Sequence, residues 1–68
     1  MAESLGNRLR ELRAERDLTQ AALAELVGVS RKTINTIENG VFVPSTLLSL
    51  KLARALGEPV EALFFLDG

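Results

Sequence analysis

The chain has 68 residues, 47% of them hydrophobic, with three Phe, no Trp or Tyr, and a formal net charge of −1. It contains neither Cys nor His, which excludes disulfides, thiolate metal sites, zinc catalysis and imidazole bases, so no catalytic residue, metal ligand or cofactor is expected. A domain this short buries only about 60% of the surface its unfolded chain exposes, so it must fill one core densely or gain stability by pairing with another chain.

Turn signals divide residues 1–68 into five predicted helices of a single domain. The first is expected over residues 4–16, where Leu5, Leu9 and Leu12 follow i, i+4, i+7 spacing. Asp17-Leu18 ends it. Thr19 is a good N-cap for a second helix over 20–27, with Leu23, Leu26 and Val27 expected inward. Gly28 breaks that pattern. Ser30 caps a third helix running to about residue 39, and Asn39-Gly40 stops it, Gly40 being suited to the left-handed conformation. Val41-Phe42-Val43-Pro44 reads as a short extended loop. Ser45 caps a fourth helix to about residue 56, with Ser49, Leu52, Ala53 and Leu56 as its inward stripe. Gly57 ends it, and Pro59 suits the first turn of a fifth short helix over 59–66. The run 41–43 is strand-like but too short to build a sheet, so the expected class is all-α.

Charge is unevenly distributed. Residues 8–32 carry Arg8, Arg10, Arg13, Arg16, Arg31 and Lys32 against Glu11, Glu15, Asp17 and Glu25. Residues 33–68 carry Lys51 and Arg54 against Glu38, Glu58, Glu61 and Asp67. A cationic first half suits phosphate, although strongly nucleic-acid-dependent domains are usually more basic overall.

Residues 20–39 form one unit, two short helices joined by about three residues around Gly28. Such helices cross steeply, at roughly 90–120°. The crossing requires a residue tolerant of positive φ (Gly28), a small residue at the close approach (Ala24), apolar residues on the inner face of the third helix (Ile34, Ile37) and a plug for the turn (Val29). At 100° per residue, Arg31, Lys32, Asn35 and Thr36 fall within one outward arc of about 140°. These residue types suit major-groove edges: Arg or Lys for guanine, Asn for adenine, Thr for a thymine methyl. A charged helix face is equally what a solvated surface looks like. The matching positions of Ala24, Gly28, Ile34 and Ile37 favour the DNA reading.

The chain resembles the phage repressor/Cro-like (XRE-type) helix-turn-helix family of transcriptional regulators. The resemblance rests on Leu9-Arg-Glu-Leu-Arg-Ala-Glu-Arg-Asp-Leu-Thr-Gln20, on Leu23-Ala24, Gly28-Val29-Ser30, Thr33-Ile34 and Ile37-Glu38-Asn39-Gly40, and on Pro44-Ser45 with Leu52-Ala53-Arg54-Ala55-Leu56-Gly57. It covers about residues 5–66. It implies a compact five-helix lambda-repressor-like DNA-binding domain, with the helix-turn-helix motif at 20–39. By position, it implies that Thr19, Gln20 and Asn39 contact phosphate, that Arg31, Lys32, Asn35 and Thr36 face bases, and that Arg13 and Glu38 form a structural ion pair. The chain departs from the family in one place. The loop after Gly40, often basic in such repressors, is here Val41-Phe42-Val43, which implies a shallower salt dependence or an apolar contact surface for a protein partner.

The second half reads as an interface. Leu47 and Leu50 lie off the inward stripe of the fourth helix, and one helical face cannot bury Leu63-Phe64-Phe65-Leu66 together. Leu63 and Phe64 are expected in the core. Leu47, Leu50, Phe65 and Leu66 are expected at a homodimer seam within residues 47–66. The expected partner is double-stranded DNA, bound as a pseudo-palindrome by the homodimer of a repressor. An antitoxin or restriction-modification controller of the same fold, and a protein-interaction module that does not bind DNA, are the alternatives. No apolar run approaches the ~20 residues of a membrane span, and no basic-then-apolar leader is seen. No small-molecule ligand is expected, and the expected location is a bacterial, archaeal or phage-type cytoplasm.

Overall fold

The structure, a computed structural model, describes residues 3–67; residues 1, 2 and 68 of the expected domain lie outside. Five helices follow in order: α1 (Leu9–Glu15), α2 (Gln20–Val27), α3 (Arg31–Glu38), α4 (Thr46–Leu56) and α5 (Val60–Leu63). A strand stands at each end, β1 (Ser4–Asn7) and β2 (Phe64–Asp67). The fold is therefore the expected helical one with a small sheet added.

Three helix starts are set by local chemistry. Thr19, Ser30 and Ser45 each take an extended backbone, and each hydroxyl accepts from the N–H three residues on, at Ala22, Thr33 and Leu48. Helix ends are equally local. At Gly28 (φ 77°) the N–H bonds back to Glu25, and that of Val29 bonds to Ala24. At Gly40 (φ 73°) the N–H bonds to Ile37, and that of Val41 to Thr36. These are paired bonds of a helix closed by a left-handed residue. The α1 terminus has the same pattern, Asp17 N–H to Ala14 and Leu18 N–H to Arg13, but the left-handed residue is Asp17 at φ 54°. An L-residue is strained there. Asp17→Gly is expected to stabilise the fold by about 0.5–1 kcal/mol, read as a higher urea midpoint at unchanged m.

The core lies between the helices. Leu9 and Leu12 of α1, Leu23, Ala24 and Val27 of α2, Ile34 and Ile37 of α3, Leu52, Ala53 and Leu56 of α4, and Leu63 of α5 are buried together. Val29 and Phe64 pack against them half-buried. Leu26 does not point inward as expected and is 62% exposed. Leu23, Ala24 and Val27 define the buried face of α2, and Leu26 lies about 100° from its centre. Ser49 is only half-buried, and its hydroxyl bonds back to the Ser45 carbonyl.

The ends of the chain differ most from expectation. Residues 4–7 do not extend α1, and residues 64–66 do not extend α5. They pair instead as an antiparallel ladder, Ser4 with Asp67, Leu5 with Leu66, Gly6 with Phe65 and Asn7 with Phe64. Gly6 and Asn7 are poor helix formers. The Asn7 side-chain oxygen Oδ1 accepts from the Leu9 N–H at 3.1 Å, at the start of α1 two residues later. Gly6 has a packing reason too, since a Cβ there would overlap the ring of Phe65. The Arg8 N–H donates to the Leu63 carbonyl at 2.9 Å, continuing the tie into α5. Residues 41–43, the strand-like run of the sequence, remain a loop.

Candidate nucleic-acid interface

α2 and α3 pack on each other across the Gly28 turn, and α2 also packs on α4. With Ile34 and Ile37 held in the core, the opposite face of α3 must face solvent. Arg31, Lys32 and Asn35 are exposed there. Thr36, at the edge of the arc, is half-buried. Its hydroxyl donates to the Thr33 carbonyl at 2.9 Å, and its own carbonyl accepts from Val41 and Phe42. Thr36 thus carries the loop that follows the helix as well as standing at the edge of the outward face.

The Glu38 side chain, at the end of α3, is wholly covered. Arg13 reaches it from α1, Nε to Oε2 at 2.7 Å and Nη2 to Oε1 at 3.3 Å. Arg13 Nη1 donates to the Leu18 carbonyl at 2.8 Å, so one guanidinium links α1, the α1–α2 turn and α3. Gln20 Nε2 donates to Glu38 Oε1 at 3.0 Å, and Arg10 Nε at 3.4 Å. Burial alone would raise the Glu38 pKa, but the Arg13 and Gln20 hydrogen bonds, the Arg13 charge and the Arg10 bond together hold it below the ordinary glutamate value.

The network continues onto the outer surface. Gln20 Nε2 also donates to Asn35 Oδ1 at 3.2 Å, Asn39 Nδ2 donates to the same oxygen at 3.3 Å, and Arg10 Nη2 donates to Asn39 Oδ1 at 3.3 Å. Both Gln20 amide hydrogens are thereby engaged within the chain. What the start of α2 offers an anion is the Gln20 and Ala21 backbone N–H groups, which have no intrahelical acceptor, with the Thr19 hydroxyl beside them. The Asn39 side chain is likewise held between Arg10 and Asn35.

Ion pairing redistributes the charge seen in the sequence. Arg8 lies 3.9 Å from Glu11, Arg10 and Arg13 pair with Glu38, and Arg16 lies 2.7 Å from Glu58. Among the described residues, Arg31 and Lys32 are the cations of residues 8–32 that enter no ion pair. The cationic excess of the first half is therefore concentrated at the start of α3.

Two residues escaped the sequence reading. The Asn7 side-chain oxygen accepts from the Leu9 N–H at the start of α1, and its NH2 group donates to the Ile37 carbonyl at 2.9 Å, tying β1 to the end of α3. Arg10 joins the Glu38 network. Its signal was the three-residue spacing from Arg13, which puts both on one face of α1.

The second half presents exposed apolar side chains: Leu47 (66%), Leu50 (54%), Phe65 (42%) and Leu66 (72%), with Val41, Phe42 and Val43 also exposed. Among the described residues, no cluster of three acidic residues could hold a metal, and no helix is long and apolar enough to cross a membrane.

The Helix-turn-helix family HTH_3 matches residues 9–63. An uncharacterized HTH-type transcriptional regulator of Methanothermobacter thermautotrophicus is 52% identical over 60 residues, 87% of each chain. The HTH-type transcriptional repressor RghR of Bacillus subtilis is 48% identical over 67 residues, 97% of this chain and 50% of RghR. Among solved structures, the restriction-modification controller protein C.AhdI from Aeromonas hydrophila superposes with a TM-score of 0.77 at 40% identity, over 81% of this chain and 83% of that one. The match spans α1 to α5 and so contains both the crossed helix pair and the core that fixes it: the chain belongs to the HTH_3 (XRE-type) helix-turn-helix family of DNA-binding transcriptional regulators.

Proposed function

We propose that this chain is a sequence-specific repressor that binds a pseudo-palindromic operator as a homodimer and blocks transcription by occupancy, in a reducing cytoplasm. The observation that carries the reading is the outward face of α3, where Arg31 and Lys32, which enter no ion pair among the described residues, stand beside Asn35. Arg31, Lys32 and Asn35 read base edges, and Thr36 contributes at the margin. The α2 start around Thr19 and Gln20 grips phosphate through its N–H groups. Asn39, held by Arg10, flanks a second phosphate. The Arg13–Glu38 pair holds α1 against α3 and serves structure. The name of RghR, a repressor, supports the direction of regulation. Footprinting on duplexes selected from a randomised pool tests the reading. A protected pseudo-palindrome is expected, and the absence of any binding at low salt overturns it.

A homodimer fits the size of the module, since two copies reach half-sites about one helical turn apart, roughly 34 Å. Leu47, Leu50, Phe65 and Leu66 form the proposed seam. Leu50→Asp is expected to raise the dimer dissociation constant about 30-fold or more, with an unchanged helical circular dichroism spectrum, because Leu50 is already exposed within one chain. Sedimentation showing only monomer of the unmodified protein at high micromolar concentration defeats the seam.

A second reading, that of a restriction-modification controller, is favoured by the 40% identity to C.AhdI. In that role the exposed 41–43 loop contacts a partner protein. Co-purification with the product of a neighbouring gene, lost in Phe42→Ser, distinguishes it.

A further inference from the structure

We propose that Asn35 meets DNA through its NH2 group alone, and so selects a base with a keto oxygen in the major groove, guanine or thymine, over adenine or cytosine. The inference rests on the proposed DNA-reading role of α3 and names what one of its residues reads. An asparagine that reads adenine uses both amide atoms, accepting from N6 and donating to N7. The geometry around Asn35 leaves it one of the two.

The polarity of the amides here follows from the groups at their ends. Glu38 carries a carboxylate paired with Arg13 at 2.7 Å, and an ionised carboxylate only accepts. The Gln20 atom 3.0 Å from it is therefore the NH2 group. That same nitrogen lies 3.2 Å from the Asn35 amide, so the Asn35 atom facing it is the oxygen. The Asn39 atom 3.3 Å from that oxygen is in turn an NH2 group, which turns the Asn39 oxygen toward Arg10. Arg10 is a guanidinium and only donates, as that orientation requires. Reversing any one amide would set donor against donor or acceptor against acceptor at both of its contacts.

An amide oxygen has two lone pairs. In Asn35 both are engaged, by Gln20 from α2 and by Asn39 from the end of α3. The oxygen has no further capacity for the amino hydrogens of adenine N6 or cytosine N4. The Asn35 NH2 group has no partner among the described residues, and the residue is exposed on the helix. Two hydrogens on one nitrogen match the adjacent guanine acceptors O6 and N7 or the thymine acceptor O4, whereas adenine offers N7 alone beside the N6 amino donors and cytosine offers no acceptor there. Gln20 and Asn39 act as positioning residues, because each fixes what Asn35 offers. The arrangement is preformed in the free protein, so the preference carries no ordering cost on binding.

The test is selection from a randomised duplex pool by the full chain and its variants. Asn35→Ala first identifies the position in each half-site that loses its preference. Every base pair carries one keto and one amino base, so the contacted strand is fixed next with operators that bear an analogue on one strand only: removing a keto oxygen (2-aminopurine for guanine, 2-pyrimidinone for thymine) is expected to lower the Asn35-dependent affinity, and removing an amino group (purine for adenine, 2-pyrimidinone for cytosine) to leave it unchanged. Asn39→Ala frees one lone pair of Asn35 and leaves the partners of Glu38 in place. It is expected to raise adenine on the contacted strand at that position about tenfold relative to the unmodified protein; overall affinity falls with the Asn39 phosphate contact, but the base preferences at the other positions stay the same. Asn35→Asp, with one oxygen still held and the other outward, is expected to switch the base on the contacted strand to adenine or cytosine. Loss of Asn35-dependent affinity on removing an amino group, with none on removing the keto oxygen of the same pair, overturns the proposal, and so does an Asn39→Ala profile identical to that of the unmodified protein. Sequence enrichment that Asn35→Ala leaves intact removes Asn35 from base reading but preserves the function. No enrichment of any sequence overturns the DNA-reading function itself.

Discussion

Arg13→Met is expected to destabilise the domain by about 3–5 kcal/mol, the largest effect of any single surface-adjacent substitution, because it leaves a covered carboxylate without its main partner. The Arg13 side chain is only 15% exposed and that of Glu38 not at all. The remaining partners are Gln20 and the distal Arg10, whose side chain is 62% exposed. A single core below 70–80 residues rarely supplies more than about 3–5 kcal/mol, so the variant stands near the midpoint of unfolding in water. The pH dependence carries its own signature. In the unmodified protein the Glu38 pKa is lowered in the fold. Its contribution is complete above the unfolded glutamate value and is lost as pH falls through the lower folded value. Without Arg13, burial dominates and raises the folded pKa. Protonation then relieves the penalty, and the stability gap between the two proteins narrows in acid. Urea denaturation between neutral pH and the carboxylate range measures both effects. The double variant Arg13→Met/Glu38→Leu is expected to recover much of the loss, since an apolar pair can replace a buried ionic one. A loss below about 1 kcal/mol for Arg13→Met at neutral pH refutes the role assigned to the pair.

What the sequence made legible is what short-range chemistry decides. Thr19, Ser30 and Ser45 announce helix starts because a hydroxyl there satisfies an N–H three residues away. Gly28 and Gly40 announce stops because both need positive φ. Ile34 and Ile37, buried three apart, fix by elimination which face of α3 is outward. The strands had no such signal. Leu5 sits four residues before Leu9, so its spacing continues a helical stripe, and its actual partner, Leu66, lies at the other end of the chain. A four-residue strand is also too short to show a period of two. The charge pattern misled in a related way. Arg8, Arg10, Arg13 and Arg16 look like a phosphate-binding surface until the fold brings Glu38 and Glu58 to three of them and the helix turn brings Glu11 to the fourth. Residue types on a face can be read from spacing. Which of their donors and acceptors remain available depends on partners from neighbouring helices, as the amide hydrogens of Gln20, engaged by two residues of α3, demonstrate.

Arg31→Ala is expected to weaken operator binding by about 1–3 kcal/mol per half-site and to relax the preference at one base position. In a dimer the substitution acts twice, so the loss approaches about 2–6 kcal/mol when both half-sites depend on it. Arg31 is the first residue of α3, directly after the Ser30 cap, and it is exposed and without an ion pair among the described residues. A cation at a helix N-terminus opposes the helix dipole, at a cost of about 0.3–1 kcal/mol. Removing it should leave folding stability unchanged or slightly higher, so weakened binding cannot be blamed on unfolding. Salt dependence then separates the two possible contacts. If Arg31 meets a base edge, the slope of log K against log salt stays the same while specificity relaxes. If it meets a phosphate, binding weakens alike on every sequence and the slope falls by about 0.9 per contact. Lys32→Ala is the natural comparison, since it removes a second unpaired cation from the next position of the same helix. Titration of both variants on operator and scrambled duplexes at two salt concentrations resolves the alternatives. Unchanged affinity and an unchanged footprint for Arg31→Ala would remove Arg31 from the reading surface and shift base recognition toward Lys32 and Asn35.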